Sequence, residues 1–436
     1  MTDIPPQPEA SARLDGVRDD TALTHPAFPA AAVASPPDKP AVGPAALPTL
    51  LFVVFMNLLG FGMVIPLLPF YAQSFHAAPW QISLIFSAYA MGGFIGEPFW
   101  GRLSDRIGRK PVLISTLACN CLCYGLMAFA PNIWAAFVIR FFGGMFAGNG
   151  SVVQGYITDV TPPEERAGKL ARIGVAFNIG FIVGPWLSGQ LAHPELGPAG
   201  FRLPFLVASA LGGLSALGVV FLVRESRSRR VGASDQPSRW AMFGAATRHP
   251  VVGRLMLLTL LSGMAFMGIE SVFGFWGARS FHWTTHELGY VFGIVGLTNA
   301  IAQWFITGRL SKRYGQAQML AAGMALTVVA TLLIPFSQGL FSATVFMALV
   351  AFGQSVAFPN VGALISTVSD QDRQGQVMGL NNATGALARF LGPQCSAFVF
   401  SAISIEAPFW LAALMVAPAI LLALSAGRAA RTAPIL

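Results

Sequence analysis

The chain joins two membrane-length apolar segments through the stretch Gly101-Arg102-Leu103-Ser104-Asp105-Arg106-Ile107-Gly108-Arg109-Lys110, which we call the first hairpin. Its four cations and one acid cannot lie in hydrocarbon, so the sequence predicts a loop in water. Gly101 and Gly108 are expected to let the backbone turn sharply there. Because Lys and Arg concentrate in short cytoplasmic loops, we expect the first hairpin on the cytoplasmic side, where it orients the neighbouring spans.

The composition is typical of a polytopic membrane protein. Of the 436 residues, 54% are hydrophobic and only 11% are charged, with 46 Gly and 35 Phe, unlike a soluble globular protein. The net charge of +8 could suggest a nucleic-acid partner, but the cations are dispersed through short loops between apolar segments. Membrane topology explains that excess better, so we predict no nucleic-acid binding.

About twelve apolar segments are near the length of about 20 residues that a bilayer requires. Most cations of the intervening loops fall on the side of the first hairpin, and only Arg202 and Arg279 fall on the other. This asymmetry predicts an even number of spans with both termini cytoplasmic. The segments lie at approximately 48–70, 82–100, 112–130, 133–156, 169–192, 203–223, 251–277, 288–308, 318–336, 340–366, 376–400 and 408–427.

A polar insert divides these segments into two groups. Residues 1–47 are rich in Pro, Ala and Asp, which predicts a disordered cytoplasmic tail. Residues 48–223 form the first predicted six-helix half and residues 251–427 form the second. The basic, Ser-containing stretch 224–250 is predicted to be a cytoplasmic linker between them, and 428–436 a closing cytoplasmic tail.

The two groups repeat each other in sequence. Gly308–Gly315, the second hairpin, matches Gly101–Gly108 at six of eight positions, with Lys312 in place of Asp105. Duplicated units of this kind place a substrate site between the halves near the membrane midplane. The sequence therefore predicts an all-α membrane protein of about twelve transmembrane helices in two six-helix halves.

Four charged side chains remain inside the apolar segments, namely Glu97, Arg140, Glu270 and Arg389. Each must face the protein interior, a partner or a water-filled cavity. Glu270 has no cation within a helical turn, so it is a candidate for proton coupling or for a cationic substrate group, with a structural hydrogen bond as the alternative. Glu97 lies one turn from Gly101 and is a second coupling candidate. A structural role is favoured, in which Glu97 reaches interfacial water or pairs with the arginines of the first hairpin. Functional and structural roles are equally open for Arg389.

Amide side chains on the spans are candidates to line a substrate cavity. Each is equally able to join two helices by a hydrogen bond. With Arg389, the predicted cavity residues are Asn57, Asn149, Asn178, Asn299, Gln303, Gln354 and Asn381.

Three stretches resemble the major facilitator superfamily of transporters, and in particular its tetracycline-type and multidrug proton antiporters. The first hairpin fits the superfamily loop G-x-L-x-D-R-x-G-R-K between helices two and three. Residues Gly180–Gly189 are similar to the antiporter motif G-x-x-x-G-P-x-x-G-G, with Ser188 in place of one glycine. Arg140 matches the arginine of the fourth-helix motif R-x-x-x-G.

The resemblance implies roles for these residues. Arg140 is expected to take part in proton transfer, and the alternative is a structural cation held by backbone carbonyls or by another acid. Many relatives have an aspartate near Asn57, and its absence here puts more weight on Glu270 for coupling. Asp105 is expected to help hold a cytoplasmic gate in the outward-facing state through a helix N-terminus or nearby arginines, with a salt-bridge scaffold that does not gate as the alternative. The implied antiporter motif comprises Gly180, Gly184, Pro185 and Gly189. The implied gating residues are Gly101, Asp105, Arg106, Gly108, Arg109, Asp159 and Arg166.

We therefore predict proton-coupled efflux of amphipathic drugs or small molecules, tetracycline-like or multidrug, by alternating access. The expected partners are a small-molecule substrate, protons and the lipid bilayer of a bacterial inner membrane, and we expect a monomer. Neither the four cysteines nor the six histidines form a metal-ligand pattern, so we predict no metal and no cofactor. The sequence also has no nucleotide-binding loop and no nucleophile–base set, so we predict no enzyme. The alternatives are an exporter or importer of a native metabolite with the same fold, and a membrane sensor that does not transport.

Overall fold

The computed structural model describes residues 46–147, 149–161, 163–226, 244, 247–369 and 371–430. The predicted N-terminal tail lies almost wholly outside these residues, as do most of the predicted linker and residues 431–436. The described backbone is helical with short connections, and it contains no β-strand.

The helices fall into two groups around the polar insert. The first half contains α1 (Ala46–Val64), α2 (Leu68–Gln73), α3 (Pro79–Ile107), α4 (Arg109–Met127), α5 (Ile133–Met145), α6 (Asn149–Val160), α7 (Pro163–Leu191) and α8 (Arg202–Leu222). The second half contains α9 (Val252–Phe281), α10 (Thr285–Ile301), α11 (Gly308–Tyr314), α12 (Gln316–Leu333), α13 (Leu340–Thr367), α14 (Gln371–Ala402) and α15 (Ala407–Ala429). A π-helical turn, Ala302–Thr307, joins α10 to α11.

Nine helical segments among the described residues are long and apolar enough to cross a membrane, and α5 is a shorter apolar helix. Each of the twelve apolar segments predicted from the sequence overlaps one or more helices of the described backbone. The fourth, predicted as one span at 133–156, is divided into α5 and α6 because the helix stops after Met145. This stop follows Gly143 and Gly144, and glycine is a poor helix former.

The turn of the first hairpin is shorter than the sequence indicates. Helix α3 runs through Gly101 to Ile107 and α4 begins at Arg109, so the chain turns at Gly108 alone, with φ 106° and ψ 159°. Side-chain-bearing residues rarely adopt this conformation. The prediction that Gly101 also turns the backbone is wrong, because a glycine within a long apolar helix can simply remain helical. Gly315 of the second hairpin has φ 87° and ψ 152°, so the sequence repeat is also a repeat of backbone geometry.

The two halves meet at the end of the bundle away from the first hairpin. The Ser87 hydroxyl of α3 donates to the carbonyl oxygen of Phe390 (2.7 Å), and the Gln394 amide donates to Ser87 Oγ (3.1 Å). Ser87 lies about 30 Å along α3 from Ile107. Close packing of α7 on α10 adds a second contact between the halves, because a β-carbon on Gly189 would lie 2.8 Å from the Thr285 carbonyl oxygen.

Candidate functional site

A cavity of about 610 Å³ lies between the two halves, within the size range of sites for drug-sized ligands. Its lining includes Leu113, which is one turn from the start of α4, and Val153 of α6. The cavity therefore extends toward the hairpin end of the bundle. At the opposite end, the contacts of Ser87 with Phe390 and Gln394 join the two halves.

Most of the charged and polar residues predicted for the site line this cavity. Its walls are otherwise apolar and aromatic, as is usual for small-molecule sites. The predicted residues that line it are Asn57, Glu97, Arg140, Asn178, Glu270, Asn299 and Arg389.

Three predicted lining residues lie elsewhere. The Asn381 Oδ1 atom accepts a hydrogen bond from the Thr259 hydroxyl (2.9 Å), which joins α14 to α9. Gln303 accepts one from the Asn178 amide (3.3 Å). Gln354 is buried in α13 with no hydrogen bond to either atom of its amide. An amide can line a cavity or join helices, and the sequence alone did not tell which. The side chain of Asn149 lies outside the described residues.

Tyr89 of α3 is a cavity residue that the sequence analysis missed. Its ring lies beneath the Arg140 guanidinium, with 4.4 Å between the guanidinium carbon and the ring centroid, a cation–π contact. Helical periodicity could have found it, because residues separated by eight positions can lie within one broad stripe of a helix and Glu97 follows Tyr89 at that spacing.

Arg140 is 4% exposed and has no hydrogen-bond or ion-pair partner among the described residues. Its Nε atom is buried and makes no hydrogen bond. The nearby Tyr124 hydroxyl is also buried without a hydrogen-bond partner. A small void is lined by Arg140, Tyr89, Asn120 and Tyr124. The only close charge-stabilising contact of the guanidinium within the described chain is therefore the Tyr89 ring.

Glu270 lies on α9, partly buried, with Phe266, Met267 and Phe292 also in the cavity lining. Its carboxylate makes neither a hydrogen bond nor an ion pair with any part of the chain that the structure describes. The structure thus places an unpartnered acid on the wall of the cavity contributed by the second half.

Glu97 and Arg389 face each other from opposite halves. Both are exposed and line the cavity, and no ion pair or hydrogen bond joins them directly. The expected pairing of Glu97 with arginines of the first hairpin is wrong for the described residues, because its side chain lines the cavity instead. The other structural interpretation, contact with water, is compatible with its exposure.

Arg109 is the centre of an ion-pair network at the first hairpin. It contacts Asp105 (Nη2–Oδ1, 2.9 Å) and Asp159 (Nε–Oδ2, 3.1 Å), and it donates to the Ser104 hydroxyl (2.6 Å). The side chain is only 9% exposed, so the expectation that the whole hairpin lies in water is wrong for Arg109. Its charge is tolerated inside the protein because two carboxylates neutralise it.

The sequence analysis also missed Glu225, just beyond α8. Its carboxylate accepts hydrogen bonds from the backbone N–H groups of Arg109 (2.8 Å) and Lys110 (3.0 Å), the first residues of α4. An acid is favourable at the N-terminus of a helix, where N–H groups have no partner within the helix. Arg106 is exposed, and the side chain of Arg166 lies outside the described residues.

The antiporter-like motif packs α7 against both halves. A β-carbon on Gly184 would lie 2.8 Å from the backbone of Gly62 in α1, whereas one on Gly189 would meet α10 of the second half. Gly180 also packs on α1, and Pro185 lies within α7. Small residues at these positions let the helix backbones approach closely.

No group of three or more His, Cys, Asp and Glu side chains suited to a metal occurs among the described residues. The chemistry that the site offers is recognition by charge, by amides and by aromatic rings.

Comparison with known proteins gives a consistent family. A family model described as Major Facilitator Superfamily matches residues 50–284 and 255–434. The chain is 30% identical over 362 residues to "Tetracycline resistance protein, class C" of Escherichia coli, covering 82% of this chain and 90% of that protein. It is 26% identical over 371 residues to "Quinolone resistance protein NorA" of Staphylococcus aureus, covering 83% of this chain and 92% of that protein.

Solved structures share the fold. The human organic anion transporter MFSD10 (TETRAN) superposes with a TM-score of 0.66 at 24% identity, over 89% of this chain and 100% of that chain. A POT family transporter in complex with 5-aminolevulinic acid superposes with a TM-score of 0.71 at 12% identity, over 88% of this chain and 96% of that chain.

Proposed function

Because the chain belongs to the Major Facilitator Superfamily, a group of multi-pass membrane transporters, we propose that it exports amphipathic small molecules in exchange for protons. The proposed substrates are tetracycline-like or multidrug in kind, by analogy with the resistance proteins it resembles. One observation carries the proposal: Glu270, a carboxylate without a partner in the described chain, lines a drug-sized cavity between the halves. Substrates pass through without chemical conversion.

The proposed membrane arrangement has twelve spans in two six-helix halves, at 48–223 and 251–427, joined by a linker at 224–250. Both termini lie in the cytoplasm of a bacterium, with the chain acting as a monomer in the inner membrane. In this orientation the cavity extends toward the cytoplasm and the halves meet on the outer side, so the structure corresponds to an inward-facing state.

In the proposed cycle, proton and substrate compete for the cavity. Protonation of Glu270 from the outside removes its charge and weakens substrate binding, and deprotonation to the inside restores it. Arg140 and Asn57 tune this exchange, and Glu97 is the second candidate for the coupling carboxylate. The Arg109 network holds the cytoplasmic ends of the first half together, and the glycines of α7 provide the interface on which the halves rock.

The test is proton release from energised inside-out vesicles when drugs, including tetracycline, are added. We expect at least one drug to dissipate the pH gradient with the parent protein and none to do so with Glu270→Gln. The matched control is Glu195→Gln. This acid is in an exposed loop, 3.1 Å from His193 and outside the cavity lining, and we expect parental behaviour.

Each other outcome has a definite meaning. If no compound moves protons with the parent, proton-coupled drug efflux is wrong, and transport of a native metabolite or sensing takes its place. If parent and Glu270→Gln respond alike, efflux stands and Glu97→Gln becomes the variant expected to lose coupling.

A further inference from the structure

The cavity contains two charges of each sign. The first half contributes Arg140 and Glu97, and the second contributes Glu270 and Arg389. Glu97 and Arg389 are exposed, so water hydrates their charges. Among the described residues, Arg140 and Glu270 therefore remain as one cation and one anion that are more buried and have no ion-pair partner, on the walls contributed by the two halves.

Burial makes the isolation of Arg140 costly. A charge taken out of water needs a counter-charge and hydrogen bonds to offset its lost hydration. Arg140 is 4% exposed, and the cation–π contact with Tyr89 stabilises the guanidinium without accepting any of its N–H groups. Arg140 also lines the large cavity between the halves, so its N–H groups are available to an acceptor group of a bound ligand.

Glu270 supplies the complementary half of the site. It has no cation near it in the described chain, and its neighbours in the lining are apolar. A purely cationic ligand would neutralise Glu270 and leave Arg140 unpaired, and a purely anionic ligand would do the reverse. A ligand that carries both charges pairs with Arg140 and with Glu270 at the same time, and it leaves the net charge of the cavity unchanged.

We propose that the substrate is a zwitterion, bound with its anionic group at Arg140 and its cationic group at Glu270. This inference rests on the proposed efflux function, because it names the substrate class of the same cavity. Such a ligand bridges the two halves, one through each charge. Its cationic end contacts the carboxylate that the proposed cycle protonates, so proton uptake releases that end first.

The test measures binding to the full chain in lipid nanodiscs by equilibrium dialysis. The probes are a piperazinyl fluoroquinolone zwitterion such as ciprofloxacin, its cationic ethyl ester and its anionic N-acetyl derivative. A second series compares tetracycline with the analogue lacking its dimethylamino group. We expect the zwitterion of at least one series to bind about tenfold or more tightly than its singly charged analogues, the usual effect of a charge-assisted hydrogen bond.

Variants of Arg140 and Glu270 test which charged group of the ligand binds at each residue. Arg140→Gln should weaken the binding of the zwitterion and of the anionic derivative about tenfold. Binding of the cationic ester should change by less than about threefold. Glu270→Gln should weaken the binding of the zwitterion and of the ester and leave the binding of the anionic derivative unchanged. The compound that still binds shows that each variant is folded. Arg140→Lys should keep the preference of the parent. The control Glu195→Gln, at an exposed residue outside the cavity lining, should change the binding of every probe by less than about threefold.

Failure of this inference differs from failure of the proposed function. If the singly charged analogues bind as well as the zwitterions, or if no probe binds, the zwitterion proposal is wrong. Proton release driven by ethidium, a permanent cation, but by neither zwitterion would also overturn it while leaving efflux intact. Zwitterion binding with the expected variant pattern but without proton release supports the inference and contradicts proton-coupled efflux.

Discussion

The first and second hairpins have the same backbone turn but different surroundings. Gly108 and Gly315 both adopt a glycine-specific conformation, with φ of 106° and 87°. Around Gly108, buried Arg109 pairs with two aspartates, and Glu225 caps α4. The turn is therefore common to both halves, whereas the charge network belongs to the first half.

The second hairpin lacks the residues that make this network. Lys312 stands where the first hairpin has Asp105, and Gln316 stands where it has Arg109. Lys312 and Arg313 are exposed, and no described carboxylate pairs with either. The same substitution should consequently have unequal effects at the two hairpins, and the following predictions measure that inequality.

The largest difference is expected between Arg109→Ala and Gln316→Ala. Loss of Arg109 leaves Asp105 and Asp159 without their shared cation, at a cost of about 3 kcal/mol. This is the low end for a buried ion pair, because the Asp105 side chain is 49% exposed. Gln316→Ala should cost less than about 0.5 kcal/mol. The melting temperature of the purified protein in one detergent compares the two, and equal losses would show that the network does not stabilise the first half.

The sequence predicted the repeated turn well and the network poorly. A glycine at the same place in two copies indicates a backbone requirement, which Gly108 and Gly315 both meet. Arg109 was expected in water because its neutralising contacts are not all local. Asp159 and Glu225 lie 50 and 116 residues away along the chain, and nothing in a short basic motif reveals them.

The candidate site, like the two hairpins, was predicted from the sequence only in part. Charges inside apolar spans must face something polar, and this principle found all four charged cavity residues. It could not tell Asn57 and Asn299, which line the cavity, from Asn381, which does not. All three accept a hydrogen bond from another helix. That distinction depends on helix rotation in the packed bundle, because the spans are apolar on nearly every side.

The second difference is expected between Gly108→Ala and Gly315→Ala. Both place a side chain in a conformation that costs about 1–3 kcal/mol. A β-carbon at Gly108 would also lie 2.5 Å from a Glu225 carboxylate oxygen, whereas one at Gly315 has no such neighbour within 4 Å. We expect Gly108→Ala to cost about 1 kcal/mol more than Gly315→Ala, from the weakened cap, with the same melting experiment as the measure. A larger loss at Gly315 would contradict this comparison.

A smaller effect is expected when the cap itself is changed. Glu225→Gln keeps one side-chain acceptor for the first N–H groups of α4 but removes the negative charge, at a cost of about 1 kcal/mol. Glu406→Gln is the matched control, because Glu406 also precedes a helix, α15, but makes no side-chain capping hydrogen bond. Its cost should stay below about 0.5 kcal/mol. If both variants lower the melting temperature equally, the loss comes from removing a negative charge near a helix N-terminus. The hydrogen bonds of Glu225 would then add no stability of their own.

The smallest effect is expected from transplanting the local part of the network into the second hairpin. Lys312→Asp combined with Gln316→Arg recreates the acid and the arginine four residues apart, and an exposed pair at this spacing stabilises a helix by about 0.3–0.5 kcal/mol. No counterpart of Asp159 contacts that position among the described residues, so the gain should be far smaller than the loss caused by Arg109→Ala. Each single substitution should change the melting temperature even less than the pair. If the double variant instead raised stability by as much as Arg109→Ala lowers it, the energy of the network would reside in the hairpin sequence alone, and the contacts to Asp159 and Glu225 would be incidental.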